Sequence, residues 1–539
     1  MDVPGLGSDV PETPFAPPAW VRAVLAVAGG LLVWLTFPDH GIHLAAVPGV
    51  ALVGLALWGV RARVGFGLGM LAGWATFLPT LHWSGIFVGA MPWVALSTVQ
   101  ALYVAVMGAV LAAVQRPLLA RGRVVLAALA LPVLWVLQEL VRGTVPFGGF
   151  PWARLAFGQA DSPLARWAWL GGAPLVSLVV ALLAVPLVLL VVRRTLRAAL
   201  LVPVAVALGL TGLLLPVHAE APEGSTPARI GMVQGNVPRA GLDFNAERRQ
   251  VLDNHVTGTE ELGRSGERLD LVVWPENSSD IDPLRNPDAA AQVQRALDAV
   301  DVPVVVGAIL DEPSPEVSNA SLLYEPGRDA PTARYVKQHP VPFAEYVPYR
   351  DFFRLFSDKV DLVRVGFAKG PGPQAFPVEG SAGGFSVVPT ICFEVAYDGL
   401  MREAVHHAED GGLPSVLLVQ TNNATFGYTA ESTQQLAISR IRAIEHGRPV
   451  AHVSTVGVSA VIAPDGSVAQ PTELFTAAQV VGTFDARTGL TPSDRLGPWV
   501  EIGSALALVL LVVAGRLRGR RADKVDTSPK TKLESSARA

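Results

Sequence analysis

Three apolar runs in this sequence stop at residues able to do chemistry: "LVVWPE" ends in Glu276, "TARYVK" in Lys337 and "VVPTIC" in Cys392. Cys392 is the only cysteine in 539 residues, so it has no internal disulfide partner and belongs to no Cys-based zinc site. A lone thiol in an apolar run is usually buried and inert. An acid and an amine at comparable strand ends reverse that reading. The carboxylate can take the proton as sulfur attacks, and the ammonium can hold the negative charge that develops on oxygen. The three types are those of a base, a cation for an oxyanion and a nucleophile.

Such groups collect at the C-terminal ends of strands in open α/β sheets, and the surrounding text supplies those strands. Val/Ile-rich runs occur at 229–236, 269–277, 302–310, 383–394, 414–423 and 448–466. Between them "AERRQVLDNHVTGTEEL", "DAAAQVQRALDAV" and "ESTQQLAISRIRAIEHG" predict helices, the last with Ala437, Ile441 and Ile444 along one stripe. Runs such as "LDLVVW" and "SVLLVQ" are apolar at successive positions, as strands covered on both faces are. The class is α/β. His406 and His407 lie together in "REAVHHAED" without a third ligand or HExxH spacing, so no metal is assigned. No cofactor is assigned either.

The rest of the chain is written for lipid. Half of it is hydrophobic and only 16% is charged, with mean hydropathy +0.40. The net charge of −4 gives no reason to expect a nucleic-acid partner. Stretches long enough to span a bilayer run from Trp20 to Phe37, His43 to Val60, Gly65 to Leu81, Met91 to Ala113, Val124 to Leu140, Leu170 to Val192, Ala198 to Val217 and Trp499 to Gly515, eight in all. The expected domains are a tail at 1–19, a seven-helix membrane domain at 20–217, a water-soluble insert at 227–492, an eighth span at 499–515 and a polar, disordered tail at 516–539. With eight spans, Arg61 and Arg63, then Arg116, Arg121 and Arg123, then Arg193, Arg194 and Arg197, and the basic final tail all fall on one side. The positive-inside rule makes that side cytoplasmic and turns the insert outward.

Trp20, Trp34, Trp58, Trp83, Trp93 and Trp499 near span ends suit an interfacial belt, and Glu139, Arg142 and Glu501 read as interfacial charges. Arg154 sits in an outward loop able to meet a phosphate head group, with chance placement as the alternative. Aromatics of that loop, Trp152 among them, and Phe343, Tyr346 and Tyr349 suit the lipid boundary. The insert is large enough to bury its own core. It is expected to fold alone with a thiol still reactive toward a small soluble ester.

The segments "VQGNVP", "VVWPENS", "YVKQHPVPFAEYVPYR", "TICFE" and "TNNATFG", in this order and behind a multi-span half that carries "GGFPWARLAFGQ", resemble the bacterial apolipoprotein N-acyltransferase family of the nitrilase superfamily. The resemblance covers nearly the whole chain. It implies a nitrilase-like αββα sandwich, a catalytic triad at Glu276, Lys337 and Cys392, and supporting carboxylates at Glu345 and Glu394. It also implies acyl transfer from a phospholipid, through a cysteine thioester, to the α-amino group of diacylglyceryl-modified apolipoproteins at the bacterial cytoplasmic membrane. Phe393, Ala344, Asn423 and Thr425 stand where the family often has Tyr, Gly, Asp and Trp, and Phe244 is the nearest candidate for an aromatic expected after "VQGN". Two other readings are a membrane-tethered nitrilase-type amidase, for which seven further spans lack a purpose, and a transporter, for which the spans carry few ionisable residues.

Overall fold

The computed structural model describes residues 15–221, 224–237 and 248–517. Phe244 and most of both expected tails lie outside the described residues. The N-terminal half is a bundle of α1 (Ala19–Trp34), α2 (Ala46–Ala56), α3 (Ala62–Thr80), α4 (Ala90–Leu119), α5 (Val124–Arg142), α6 (Ala168–Arg193) and α7 (Leu196–Leu210).

The insert then forms two six-stranded sheets. The first contains β1 (Thr226–Gln234), β2 (Leu271–Val273), β3 (Val304–Leu310), β4 (Ser318–Tyr324) and β5 (Ala333–Val336), closed at its other edge by β12 (Ala478–Ala486), in the order β12-β1-β2-β3-β4-β5. The second contains β6 (Phe376–Gly380), β7 (Gly383–Ile391), β8 (Ser415–Thr421), β9 (Val450–Ser454), β10 (Ala460–Ile462) and β11 (Val468–Ala469), in the order β11-β10-β9-β8-β7-β6. Each sheet has a parallel centre, β1-β2-β3 and β7-β8-β9. The intervening helices are α8 (Arg248–Arg264), α9 (Pro287–Val300), α10 (Arg350–Arg354), α11 (Asp398–Asp410), α12 (Glu431–His446) and α13 (Pro492–Leu496), and α14 (Trp499–Arg516) ends the described chain.

Alternation along the strands explains their unbroken apolar text. Leu271 and Val273 face Val387, Ile391, Leu418 and Val453 in the core between the sheets. Val272 points the other way, with Val304 and Val306, onto Val256 of α8 and Val293 and Leu297 of α9. This gives four layers, α/β/β/α. The helix ends follow local chemistry. Asn286 accepts hydrogen bonds from the Asp288 and Ala289 amides with Pro287 at the first position of α9, and α12 stops at Gly447 in left-handed geometry.

The second sheet's outer face has no boundary of its own. Val388, Leu417, Val419, Met401, Ile438 and Ile441 share one apolar core with Leu134, Val176, Val180 and other bundle residues. Among the described residues five helices are long and apolar enough to cross a membrane: α4, α5, α6 with the turn before it, α7 with the turn after it, and α14. Five of the eight expected stretches thus hold such a helix. α1 and the stretch containing α2 are apolar but shorter, and the 16 residues of α1 rise only about 24 Å against a hydrocarbon core of about 30 Å. Two belt expectations fail: Trp58 and Trp83 are buried within the bundle's apolar core.

Candidate active site

Glu276 lies three residues past β2 in a loop squeezed against β3. A side chain at Gly307 would meet the Pro275 carbonyl oxygen at 2.1 Å, so glycine is what lets the strand pass this close. The Glu276 carboxylate accepts hydrogen bonds from Asn319 Nδ2 of β4 (2.7 Å), Lys337 Nζ (3.1 Å) and the Asn422 amide (2.9 Å). Lys337 follows β5 and is held in place by its own amide, which donates to the Asn319 carbonyl at 2.9 Å. Its side chain is 2% exposed and bridges Glu276 to Glu345, the second contact being 2.8 Å. The other Glu345 oxygen accepts from the Val341 amide at 2.6 Å.

Cys392 follows β7 directly and opens a short helical turn, Cys392–Ala396. Its φ of +56° is left-handed, a strain of about 1–3 kcal/mol for a residue with a Cβ, sustained only where neighbours over-determine it. Glu394 is one such neighbour. One of its oxygens accepts from the Gln338 and His339 amides (2.6 and 3.1 Å), and the other from the Ile391 amide and the Tyr335 hydroxyl (both 2.8 Å). It thereby ties the start of the Cys392 turn to the segment that follows Lys337.

The electrostatics concentrate on the thiol, which keeps partial exposure. Burial pushes it well above its ordinary range, the Glu276 charge pushes it further, and Lys337 opposes both. Burial likewise raises Glu276 despite the pull of Lys337. Burial alone would lower Lys337, but Glu276 and Glu345 outweigh it and hold the ammonium well above the usual lysine range. The raised carboxyl is a stronger base, while the raised thiol is harder to ionise at rest, so the proton moves as sulfur attacks and not before. An ammonium has three N–H bonds; two go to carboxylates here, leaving one for an oxyanion.

All five residues expected from the sequence thus lie in one connected region. Three further residues of this region carry little signal in the sequence. Asn319 is a polar residue inside an apolar strand, the one local signal that could have revealed it. Tyr335 is buried against Glu394. Glu431, buried at the start of α12, accepts a hydrogen bond from Asn423 Nδ2 at 2.6 Å and is pushed up to about 8, by burial first and then by Glu276, against the Asn423 hydrogen bond. Charges expected at the interface are also placed otherwise: Glu139, Arg142 and Arg154 are buried, and Arg154 pairs with Asp398 instead of facing a head group. Trp152 is 1% exposed, so it too lies away from any lipid boundary, whereas Phe343 and Tyr349 are exposed. Among the described residues no group of three His, Cys, Asp or Glu side chains is placed to hold a metal.

Residues 29–186 match the family model for the apolipoprotein N-acyltransferase N-terminal domain, and residues 229–492 match that for carbon-nitrogen hydrolase. The chain is 39% identical over 535 residues to an apolipoprotein N-acyltransferase of Mycolicibacterium smegmatis, covering 92% of this chain and 86% of that one. It is 30% identical over 521 residues to one of Photobacterium profundum, covering 93% and 96%. Among solved structures, an amidase of the nitrilase superfamily from Nesterenkonia AN1 is similar at 15% identity and TM-score 0.38, covering 53% of this chain and 99% of that one.

Proposed function

The chain belongs to the apolipoprotein N-acyltransferase family, and from its site we propose that it moves an acyl chain from a phospholipid to the N-terminal diacylglyceryl-cysteine of lipoproteins through a thioester on Cys392. The observation that carries this reading is the Lys337 ammonium shared between Glu276 and Glu345, with the charges of all three acting on one thiol.

In the first half-reaction Glu276 takes the thiol proton as sulfur attacks the ester carbonyl. Lys337, with backbone N–H groups, holds the tetrahedral oxyanion. The ester C–O bond breaks, the departing alkoxide takes the proton back from Glu276, and a lysophospholipid leaves. In the second, the acceptor's α-amino group loses a proton to Glu276 and attacks the thioester. The C–S bond breaks, an amide forms and the thiol recovers its proton. Glu345 and Glu394 support this chemistry by holding Lys337 and the Cys392 turn, and neither carries the transferred proton.

The catalytic domain at 227–492 sits on the extracytoplasmic face of a bacterial cytoplasmic membrane, carried by seven spans within 20–217 and an eighth at 499–515. Supporting this orientation, its contacts are with the cation-poor connections of the bundle. Gln434 donates to the Pro38 and Thr80 carbonyls, and Arg440 pairs with Asp161. The Arg-rich connections lie at the other helix ends. Mass spectrometry of a lipoprotein N-terminus, from cells with and without this chain, tests the function directly: the acylated amine should vanish with the chain, and its persistence would refute the assignment.

A further inference from the structure

The loop between α5 and α6 belongs to the membrane half, yet it is built to grip the Cys392 turn. Its support begins inside the bundle. Arg142, on the last turn of α5, is 1% exposed and donates to the carbonyls of Phe150, Trp152 and Ala153. Glu139, one turn earlier, accepts from the Leu155 amide at 3.0 Å and from Trp135 Nε1 at 3.1 Å. Gly149, at φ +81°, is so close to α5 that a Cβ there would meet the Gly143 carbonyl carbon at 2.1 Å. Two buried charges are thus spent on the main chain of one short loop.

That loop then reaches the nucleophile from two directions. The Trp152 ring lies within 5° of parallel to Phe393, the residue after the thiol, at 5.4 Å between centroids, and Phe150 stacks on the same ring at 5.2 Å. Trp152 is itself pinned by its Nε1, which donates to Gln434 at 2.7 Å. Arg154 pairs with Asp398, whose other oxygen meets Arg442 at 2.7 Å. Arg442 in turn donates to the Val395 and Ala396 carbonyls, at 2.7 and 2.8 Å. Of the five residues Cys392–Ala396, three are therefore held by the loop or by groups that the loop anchors.

We propose that residues 149–154 are a positioning element for Cys392, with Trp152 acting through Phe393 and Arg154 through Asp398 and Arg442, and that they are not a lipid-binding contact. The proposal rests on Cys392 being the nucleophile and deepens that reading: the membrane half is part of what aims the thiol. A left-handed turn needs such over-determination, and a misplacement of about 1 Å is worth about a hundredfold in rate. The insert alone is then expected to carry a slow thiol even toward a soluble ester.

The test uses the full chain in detergent with two acyl donors, p-nitrophenyl butyrate and micellar dipalmitoyl phosphatidylethanolamine, and reads formation of the acyl-enzyme. Trp152→Ala should slow both donors by the same factor, between about tenfold and a hundredfold, in kcat, with KM for the phospholipid unmoved. Trp152→Phe, which keeps a stacking ring, should recover most of that loss. Phe393→Ala combined with Trp152→Ala should be no slower than the slower single variant, since one acts through the other. A loss confined to the phospholipid, a raised KM, a Phe variant as slow as the Ala variant, or additive losses would each overturn the proposal. Cys392→Ala is run alongside. Acyl-enzyme formed by that variant would refute the nucleophile assignment itself, a separate result from any behaviour of the loop.

Discussion

Glu276, Lys337 and Glu345 set two carboxylates against one ammonium, whereas Arg154, Asp398, Arg442 and Glu445 set two guanidiniums against two carboxylates. Both clusters are buried and both meet the Cys392 turn, but their carboxyls respond in opposite directions. Burial raises Glu276, and one shared lysine fails to cancel it. Burial would raise Asp398 too, yet Arg154 and Arg442 reverse it and hold the carboxyl well below the usual range. The first cluster leaves a proton poised to move, and the second has every charge matched and so fixes geometry. Buried charge is thus no sign of catalysis by itself; unmatched buried charge beside a nucleophile is.

Substitution at the nucleophile should do the most damage. Cys392→Ala should abolish acyl transfer while the protein stays folded, read as loss of the acyl-enzyme by mass spectrometry; surviving transfer would end the covalent mechanism. Glu276→Gln and Lys337→Ala should each slow acylation by about 10²-fold or more, for reasons that pH separates. Replacing Glu276 removes a negative charge that raises the thiol, so the thiol becomes easier to ionise and acylation should partly recover between pH 7 and 10. Replacing Lys337 removes the cation that lowers the thiol, so that variant should stay slow. Equal rescue in stopped-flow acylation would cancel the division of roles.

The matched cluster should show its effect in stability. Arg442→Ala leaves Asp398 and Glu445 buried with too little positive charge, which is expected to cost about 3–5 kcal/mol, measured by thermal unfolding in detergent. The sign of its pH dependence follows from the depressed Asp398. That carboxyl's contribution is present above its unfolded pKa near 3.9 and is lost only as pH falls through the lower folded value. Asp398→Asn should therefore already be destabilised at pH 5, well above the pH at which Asp398 itself takes a proton. A variant as stable as the parent at pH 5 would mean that Asp398 is not the matched carboxylate described here.

The two clusters also differ in how far the sequence reveals them. Glu276, Lys337 and Cys392 are legible because each ends an apolar run, and a strand's end can be read from its own residues. Arg154 and Asp398 are 244 residues apart, and nothing near either announces the other. Glu139, Arg142 and Arg154 read as interfacial because a charge beside an apolar span is ordinarily solvated there. Their actual partners are main-chain carbonyls and amides of one loop and a carboxylate from a distant helix, which periodicity does not encode. The strands and the α/β class follow from local patterning. The fusion of the second sheet's outer core with the bundle does not, because the same residue types serve a lipid-facing helix and a helix packed on another domain.

Glu431 belongs to neither cluster, and it offers the mildest test of the contrast between matched and unmatched charge. No cation pairs with it among the described residues; it accepts a hydrogen bond from the Asn423 side-chain amide, and its carboxyl is pushed up to about 8, so at pH 7 it is largely neutral. A raised folded pKa means that the native state holds a proton the unfolded chain has lost. The resulting stabilisation is present in full below about pH 4.5 and drains away as pH rises through the folded value, so stability should fall between pH 5 and 8. Glu431→Gln keeps an oxygen for Asn423 but has no proton to lose, so it should remove this slope. Relative to the parent, it should gain on the order of a few kcal/mol between pH 5 and 8, while acylation at pH 7 changes by no more than about twofold, because Gln mimics the neutral acid already present. Unfolding midpoints of both proteins at the two pH values decide it. A difference that does not move with pH would place an ionised carboxylate at 431, and with it a second unmatched charge beside the thiol.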